Sequence, residues 1–274
     1  MSSAVPDIYS FFSDFKIYMQ YDSYIEKNSG TGEHNNTCDA FMIDFQISNT
    51  ESANQICAKF KNFYKFIIST KNPPKNKSLD KNDFAYLNYW INRKLRNTKI
   101  SNELTVKEFH EKLNNHDNDF VGYDMFAGKL FDIGENDFQN MKLLDYLHSN
   151  YFENFTEIST LTKEKNVSCF KHVKELLNTY KRGIIQCHID DTNFCKALKF
   201  FTRAYDNIFF GKDSITEKCT DQKLLKLPTY EDVSLEEKNI SVVGSILGSS
   251  FGTLFTMLIL YKVIKISFII INVF

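Results

Sequence analysis

NDFAYLNYWINRKL, residues 82–95, contains the only tryptophan of this 274-residue chain, together with two tyrosines and a phenylalanine. Its apolar residues recur every three or four positions, which is the spacing of one face of an α-helix. Asp80 precedes the pattern as a candidate N-cap residue. The pattern predicts a helix packed into a core rather than an exposed aromatic platform for a ligand. Its stripe consists of Phe84, Leu87, Ile91 and Leu95, flanked by Tyr86 and Trp90.

Further stretches with helical spacing occur on both sides of this segment. The chain has only ten glycines and four prolines, whereas a sheet-rich domain needs turn residues about every 8–12 positions. In the first stretch the apolar face predicts that Lys59, Lys61 and Lys65 point away from the core. Gly211 follows the last stretch as a candidate C′ residue. We therefore predict an all-α domain over residues 1–211, built on patterns at 57–68, 82–95, 103–113, 137–152, 169–184 and 193–210.

The charges of the chain are balanced, with 33 lysines and arginines against 34 aspartates and glutamates. A nucleic-acid-binding domain normally has a net basic surface, so we expect no nucleic-acid partner. No P-loop, HExxH, GxSxG or GxGxxG pattern is present. We therefore predict no enzymatic activity and no cofactor, and we assign no catalytic residue. The polar stretches 96–103, 114–137 and 154–168 are predicted to be exposed loops that are available for contacts.

The segment Val242–Leu260, VVGSILGSSFGTLFTMLIL, contains no charged residue. A helix needs roughly 20 apolar residues to cross the hydrocarbon core of a bilayer. We therefore predict one C-terminal transmembrane helix over 242–261, between a polar juxtamembrane linker at 212–241 and a short tail at 262–274. Within it, Gly244, Gly248 and Gly252 share one face. This face is either the seam of a weak dimer or a sign of how common glycine is in membrane helices.

The charges that flank this segment predict its orientation. Acidic residues precede it, whereas Lys262 and Lys265 follow it, so the positive-inside rule places the tail in a cytoplasm and the large domain outside. The first twenty residues show no basic start followed by an apolar run, the pattern of a cleavable signal peptide. The opposite topology, a tail anchor with the domain in the cytosol, therefore stays open.

Six cysteines are present, and an even number in an external domain is typical of disulfides. Grouping by region favours a bond between Cys38 and Cys57 and two bonds among Cys169, Cys187, Cys195 and Cys219. In a cytosolic domain all six would instead be reduced. A zinc site that uses His172 or His188 with nearby cysteines is a further alternative. We do not assign one, because structural zinc sites usually show two tight ligand pairs such as CxxC.

Four elements of the sequence resemble the Plasmodium interspersed repeat proteins, most closely the Vir type of Plasmodium vivax. They are CDAF with CAKFKNFYKFI, the YLNYWINRKL helix, the CFKHVKELLNTY region, and the single membrane segment that ends in LYK. The signature residues in the helix are Tyr86, Leu87, Tyr89 and Trp90. In the family a cysteine often precedes this helix, whereas here the neighbourhood NDFAYLNYW has none.

The resemblance implies a non-enzymatic, variable protein of infected red cell membranes. We expect a membrane-anchored antigen that serves in immune evasion and adhesion. Its expected partners are the lipid bilayer and a host-cell receptor or antibody. An interaction or trafficking protein that stays inside the parasite or host cell and is never displayed is the alternative, and an enzyme of unrecognised type is a second one.

Overall fold

Helices form the regular structure of the part of the chain that the computed structural model describes. This part comprises residues 7–28, 38, 52–71, 78–97, 104–116, 120, 125–163, 166–187, 192–212 and 214–235. Within it the one strand-type pairing is an isolated bridge between Val167 and Cys219. The all-α prediction is therefore confirmed for the described residues.

A 3-10 turn, Ser10–Asp14, leads into the first of the α-helices, and two more 3-10 turns, Ile215–Lys218 and Gln222–Leu225, follow the last one. The α-helices are α1 Phe15–Asn28, α2 Ala53–Thr70, α3 Lys81–Asn97, α4 Val106–His116, α5 Glu135–Leu161, α6 Phe170–Ile184 and α7 Asn193–Phe210.

Two compact units divide the chain, Met1–Leu227 and Pro228–Phe274. In the first unit, α2 packs against α1 and α3, while α5 packs against α6 and α7. The turn at 10–14 contacts both α3 and α7. In the second unit the described residues 230–235 are helical, and Thr229 caps them by accepting a hydrogen bond from the Asp232 backbone at 3.2 Å.

Aromatic rings at the N-terminus join the two groups of helices in the first unit. Phe11 and Phe12 are fully buried. Phe11 stacks on Tyr89 of α3 with 5.6 Å between ring centroids, and Phe12 stacks on His148 of α5 at 5.7 Å. Burying rings of this size supplies much of the energy of a small core. The N-terminal turn therefore packs its two rings between α3 and α5 and forms part of the core.

The apolar stripes that the sequence predicts are largely buried. Three features differ from expectation: the burial of one lysine, the length of one helix and the packing of one segment. Lys61 is only 1% exposed, and its Nζ lies 5.3 Å from the Phe120 ring centroid, so the prediction that it points away from the core is wrong. The helix predicted at 137–152 continues to Leu161, because Ile158 adds another buried contact on the same side. The segment predicted as a linker from residue 212 is packed into the first unit as far as Leu227.

Gly211 ends α7, but not in the left-handed conformation of a C′ glycine. Its φ of −69° and ψ of −177° are extended backbone, which any residue can adopt. Its role is steric, because a Cβ at this position would overlap the backbone carbonyl oxygen of Asn207. Beyond it, Thr216 Oγ1 donates to the Phe209 carbonyl at 2.6 Å and satisfies the helix end.

We expect Gly211→Ala to lower the free energy of unfolding by about 1–3 kcal/mol, the usual cost of forcing an extra methyl group into a packed site. Urea unfolding followed by circular dichroism would measure the loss. Gly134→Ala is the control, since a Cβ there meets nothing within 4 Å, and its effect should stay below about 1 kcal/mol, the cost of alanine at the N-cap of α5. Equal stability of the two variants would contradict the overlap.

Candidate functional site

The residues of the signature helix α3 face inward. Tyr86, Leu87, Tyr89 and Trp90 are each at most 1% exposed. Trp90 meets Phe63 edge-on, with 5.6 Å between ring centroids. The sequence-based interpretation of this segment as core rather than ligand platform therefore agrees with its burial.

The polar atoms on these rings are also bound within the core. Trp90 Nε1 donates to Asp22 of α1 at 2.8 Å, and the Tyr89 hydroxyl donates to Asp145 of α5 at 2.6 Å. Arg93 donates to both carboxylates. Burial alone would lower the pKa of Arg93, but the charges around it raise the pKa overall, so it stays a cation. One cation thus ties three helices together.

Two asparagines of α3 hold a separate segment by its backbone. Asn88 Oδ1 accepts from the Phe131 N–H at 2.9 Å, and Asn92 Oδ1 accepts from the Ile133 N–H at 3.0 Å. Asn92 Nδ2 donates to the Phe131 carbonyl at 3.0 Å. Both asparagines are 1% exposed, and buried amides are costly without such partners. The two asparagine side chains therefore hold the backbone of residues 131–133 against α3.

All six cysteines form disulfides. The bonds are Cys38–Cys57, Cys169–Cys219 and Cys187–Cys195, with sequence separations of 19, 50 and 8 residues. The cysteines considered as zinc ligands are therefore held in disulfide bonds. His172 Nδ1 instead lies 2.9 Å from Glu157 Oε1. No cluster of three or more possible metal ligands occurs among the described residues, and His188 lies outside them.

The Cys169–Cys219 bond belongs to a larger attachment between the start of α6 and the segment after α7. Asp221 accepts hydrogen bonds from the backbone of Cys169 at 2.8 Å and of Phe170 at 3.2 Å, and from the Ser168 hydroxyl at 2.6 Å. Burial would raise the pKa of Asp221, but these donors lower it overall. The carboxylate caps α6, where negative charge also suits the helix dipole.

The predicted exposed loops are only partly loops. Residues 154–161 belong to α5, and within 125–133 the side chains of Phe126, Leu130 and Ile133 are buried. Those parts of the loop prediction are wrong. The signal in the sequence is the apolar residues that lie among the polar ones in both stretches, namely Phe126, Leu130, Ile133 and Ile158, all of which are buried.

The membrane prediction falls outside the described residues. No helix in the described part of the chain is both long and apolar enough to cross a bilayer. Residues 242–261, with Gly244, Gly248 and Gly252, are not among the described residues and stay a prediction.

A cleft between α1 and α5 brings together residues that the sequence analysis did not single out. We call it the α1–α5 cleft; its volume is about 340 Å³. It is lined by Lys16, Met19, Gln20, Ser23, His148, Tyr151 and Phe152. A cleft of about 620 Å³ lies elsewhere, beside Tyr9 and Phe194, but there the Tyr9 hydroxyl already donates to Asp137 at 2.8 Å.

His148 forms part of the α1–α5 cleft and is 7% exposed. The rings of Phe15 and Phe201 lie 5.3 and 5.4 Å from it, centroid to centroid. Its Nε2 is buried and has no hydrogen-bond partner among the described residues. Desolvation lowers the pKa of His148 to about 4, because burial disfavours the charged imidazolium.

This histidine makes the stability of the domain depend on pH. In the unfolded chain it takes up a proton near pH 6.5, whereas in the folded chain it stays neutral down to about pH 4. The unfolded state therefore binds more protons in this window, and we expect stability to fall as the pH is lowered through it. Between pH 7 and pH 5 its contribution is about 2 kcal/mol. Urea unfolding of the wild type and His148→Gln at both values isolates it; the same pH sensitivity in both proteins would contradict it.

The family comparison agrees with the sequence resemblance. The model described as Plasmodium vivax Vir protein matches residues 15–234, which include every α-helix named above. A search of curated proteins and a search of solved structures returned no match. Because the match spans most of the chain, this chain belongs to the Plasmodium vivax Vir protein family, a family of variant antigens.

Proposed function

We propose that this protein is a membrane-anchored variant antigen that presents its helical domain outside the cytoplasm, on the infected red cell membrane or on membranes exported to it. In this role its exposed residues contact host receptors or antibodies, and variation among copies serves immune evasion. Family membership supports the role as a variant antigen, and the paired cysteines support a location outside the cytoplasm.

The observation that carries the proposal is the complete pairing of the cysteines. Disulfides persist in oxidising compartments and are rare in the cytosol, where thiols are kept reduced. Cys57, Cys169 and Cys195 are 0–1% exposed, and so they are placed to stay bonded once the domain has folded. An intracellular interaction protein would not need three bonds of this kind.

The division between interior and surface suits an antigen. The signature residues of α3 lie in the core and their carboxylate partners are half-buried, so substitutions on the outside leave the signature residues in place. Exposed apolar side chains occur on several helices, for example Ile17 on α1 at 45% and Phe200 on α7 at 45%. Such residues supply contact area for a protein partner.

The experiment that tests the location measures the redox state of the cysteines in infected red cells. Free thiols are blocked with N-ethylmaleimide during denaturing lysis, the disulfides are reduced, and the released thiols are labelled with a heavier maleimide. We expect all six cysteines to carry the second label. Six cysteines that carry the first label would overturn the proposal and favour the intracellular trafficking protein.

A second experiment tests display on the cell surface itself. A membrane-impermeant, lysine-reactive biotin reagent is added to intact cells and to permeabilised cells. Exposed lysines such as Lys107, whose side chain is 76% accessible, react without unfolding. Labelling in intact cells supports display, whereas labelling that requires permeabilisation excludes it. A parasite cytosolic protein serves as the control for membrane integrity.

A further inference from the structure

The α1–α5 cleft combines apolar walls with two polar groups that lack partners. Lys16 makes no ion pair with a described carboxylate; its Nζ instead lies 4.7 Å from the centroid of the Phe152 ring. His148 is more than nine-tenths buried, and its Nε2 has no hydrogen-bond partner in the described structure. A buried polar atom without a partner is rare in folded proteins and is a reason to look for a ligand.

The chemistry of these two groups indicates an anion. Lys16 supplies positive charge, and the imidazole of His148 can donate a hydrogen bond from one ring nitrogen. A carboxylate or phosphate in the cleft would accept from Lys16. It would accept from His148 when the ring turns a nitrogen toward the cleft, because Nε2 is solvent-inaccessible in the structure. Met19, Tyr151 and Phe152 supply apolar surface beside these two groups.

A second space, a groove, adjoins this cleft at Phe152 and follows the outer face of α5. Phe152 lines both spaces, and the groove then follows Thr156, Thr160 and Leu161 over a volume of about 540 Å³. From Phe152 to Leu161 the helix rises roughly 14 Å, at about 1.5 Å per residue, which suits an extended hydrocarbon chain. Phe152 is 43% exposed and Leu161 is 36% exposed, so both offer apolar surface to a ligand.

Charge along the groove fixes the orientation of such a ligand. Glu153 and Glu157 border the groove, and they would repel an anionic head. The cation Lys16 lies at the other end, in the α1–α5 cleft. An anionic head therefore belongs in the cleft, and an apolar tail belongs on α5.

We propose that the α1–α5 cleft binds a single-chain anionic amphiphile, with its head between Lys16 and His148 and its acyl tail along the outer groove of α5. This goes beyond display as an antigen. The head is either the carboxylate of a free fatty acid or the phosphate of a lysophospholipid, and both satisfy the same two groups.

The test uses dodecanoic acid with a photoreactive diazirine in its tail and the full-length chain in phosphatidylcholine nanodiscs. After irradiation, labelled tryptic peptides are located by mass spectrometry. We expect label in the peptides 17–27 and 143–163, which carry the lining residues of α1 and α5 other than Lys16. The methyl ester of the same probe, which lacks the charge, should label these peptides far less. Equal labelling by acid and ester, or label spread over other peptides, would overturn the proposal.

Charge variants test the role of Lys16 directly. Lys16→Glu should lower labelling by about tenfold, because an attractive charge next to the anionic head becomes a repulsive one. Lys16→Gln is the second variant and should give an intermediate loss. Lys107→Glu makes the same charge change on α4, which does not line the cleft, and should leave labelling unchanged. Undiminished labelling in both Lys16 variants, with thermal unfolding like the wild type, would refute the site.

Competition identifies the source of the ligand. Unlabelled dodecanoate or lysophosphatidate is added in excess before irradiation. Stronger competition by dodecanoate assigns a free fatty acid, and stronger competition by lysophosphatidate assigns a lysophospholipid. Failure of both to compete would contradict a specific site.

Discussion

Replacement of Trp90 by alanine is expected to lower the free energy of unfolding by about 4 kcal/mol, the usual range for emptying a large aromatic site in a core. Trp90 is completely buried and packs on Phe60 and Phe63. The change also removes the indole N–H that donates a hydrogen bond to Asp22 at 2.8 Å. A loss of this size approaches the whole stability of many domains.

Circular dichroism in urea is the appropriate measurement, since the chain has a single tryptophan and the variant loses its fluorescence. Trp90→Phe is the matched control because it keeps a ring and removes only the indole N–H and part of the volume. Arg93 still donates to Asp22 in that variant. We therefore expect the control to lose about 1–2 kcal/mol. A loss below about 1 kcal/mol for the alanine variant would show that α3 is not the centre of the core.

Removal of the Cys169–Cys219 bond is expected to cost about 4 kcal/mol, and removal of Cys187–Cys195 only about 2.5 kcal/mol, if loop-closure entropy dominates. The difference arises from the sequence separations of 50 and 8 residues, because the longer cross-link restricts the unfolded chain more. The first bond also fixes the segment whose Asp221 caps α6.

The two alanine pairs, Cys169→Ala with Cys219→Ala and Cys187→Ala with Cys195→Ala, serve as controls for each other. Each removes one bond and two sulfur atoms, and the closed loops differ in length. Urea unfolding under non-reducing conditions gives both free energies. Equal losses, or a larger loss for the short loop, would show that local packing rather than chain entropy sets the contribution of these bonds.

Periodicity made α3 predictable, because its own sequence contains the stripe and the candidate cap. Asp80 indeed accepts hydrogen bonds from the backbone of Asn82 at 2.8 Å and Asp83 at 3.1 Å. The partners of the helix were not predictable in this way. Asp22 lies 68 residues before Trp90, and Asp145 lies 56 residues after Tyr89, and no local pattern marks either of them.

The burial of Lys61 and His148 escaped sequence analysis for a related reason. Each is a polar residue at a helical position where its long or aromatic body packs against rings from distant segments, Phe120 in one case and Phe12 and Phe15 in the other. Hydropathy assigns such residues to the surface. The α1–α5 cleft therefore emerges only from the tertiary structure, when α1 and α5 come together.

The hold of Asn88 and Asn92 on residues 131–133 has a consequence for how this protein can evolve. Within residues 131–133, the two amides bond to main-chain N–H and C=O groups of Phe131 and Ile133. Every residue except proline offers the same donor and acceptor. This attachment therefore does not depend on the side chains of residues 131–133. A change at exposed Asp132 would remove the hydrogen bond that its carboxylate accepts from the Val106 N–H at the start of α4, but it would not release the segment from α3. Exposed side chains of this segment can thus change over evolution while the path of its backbone stays the same.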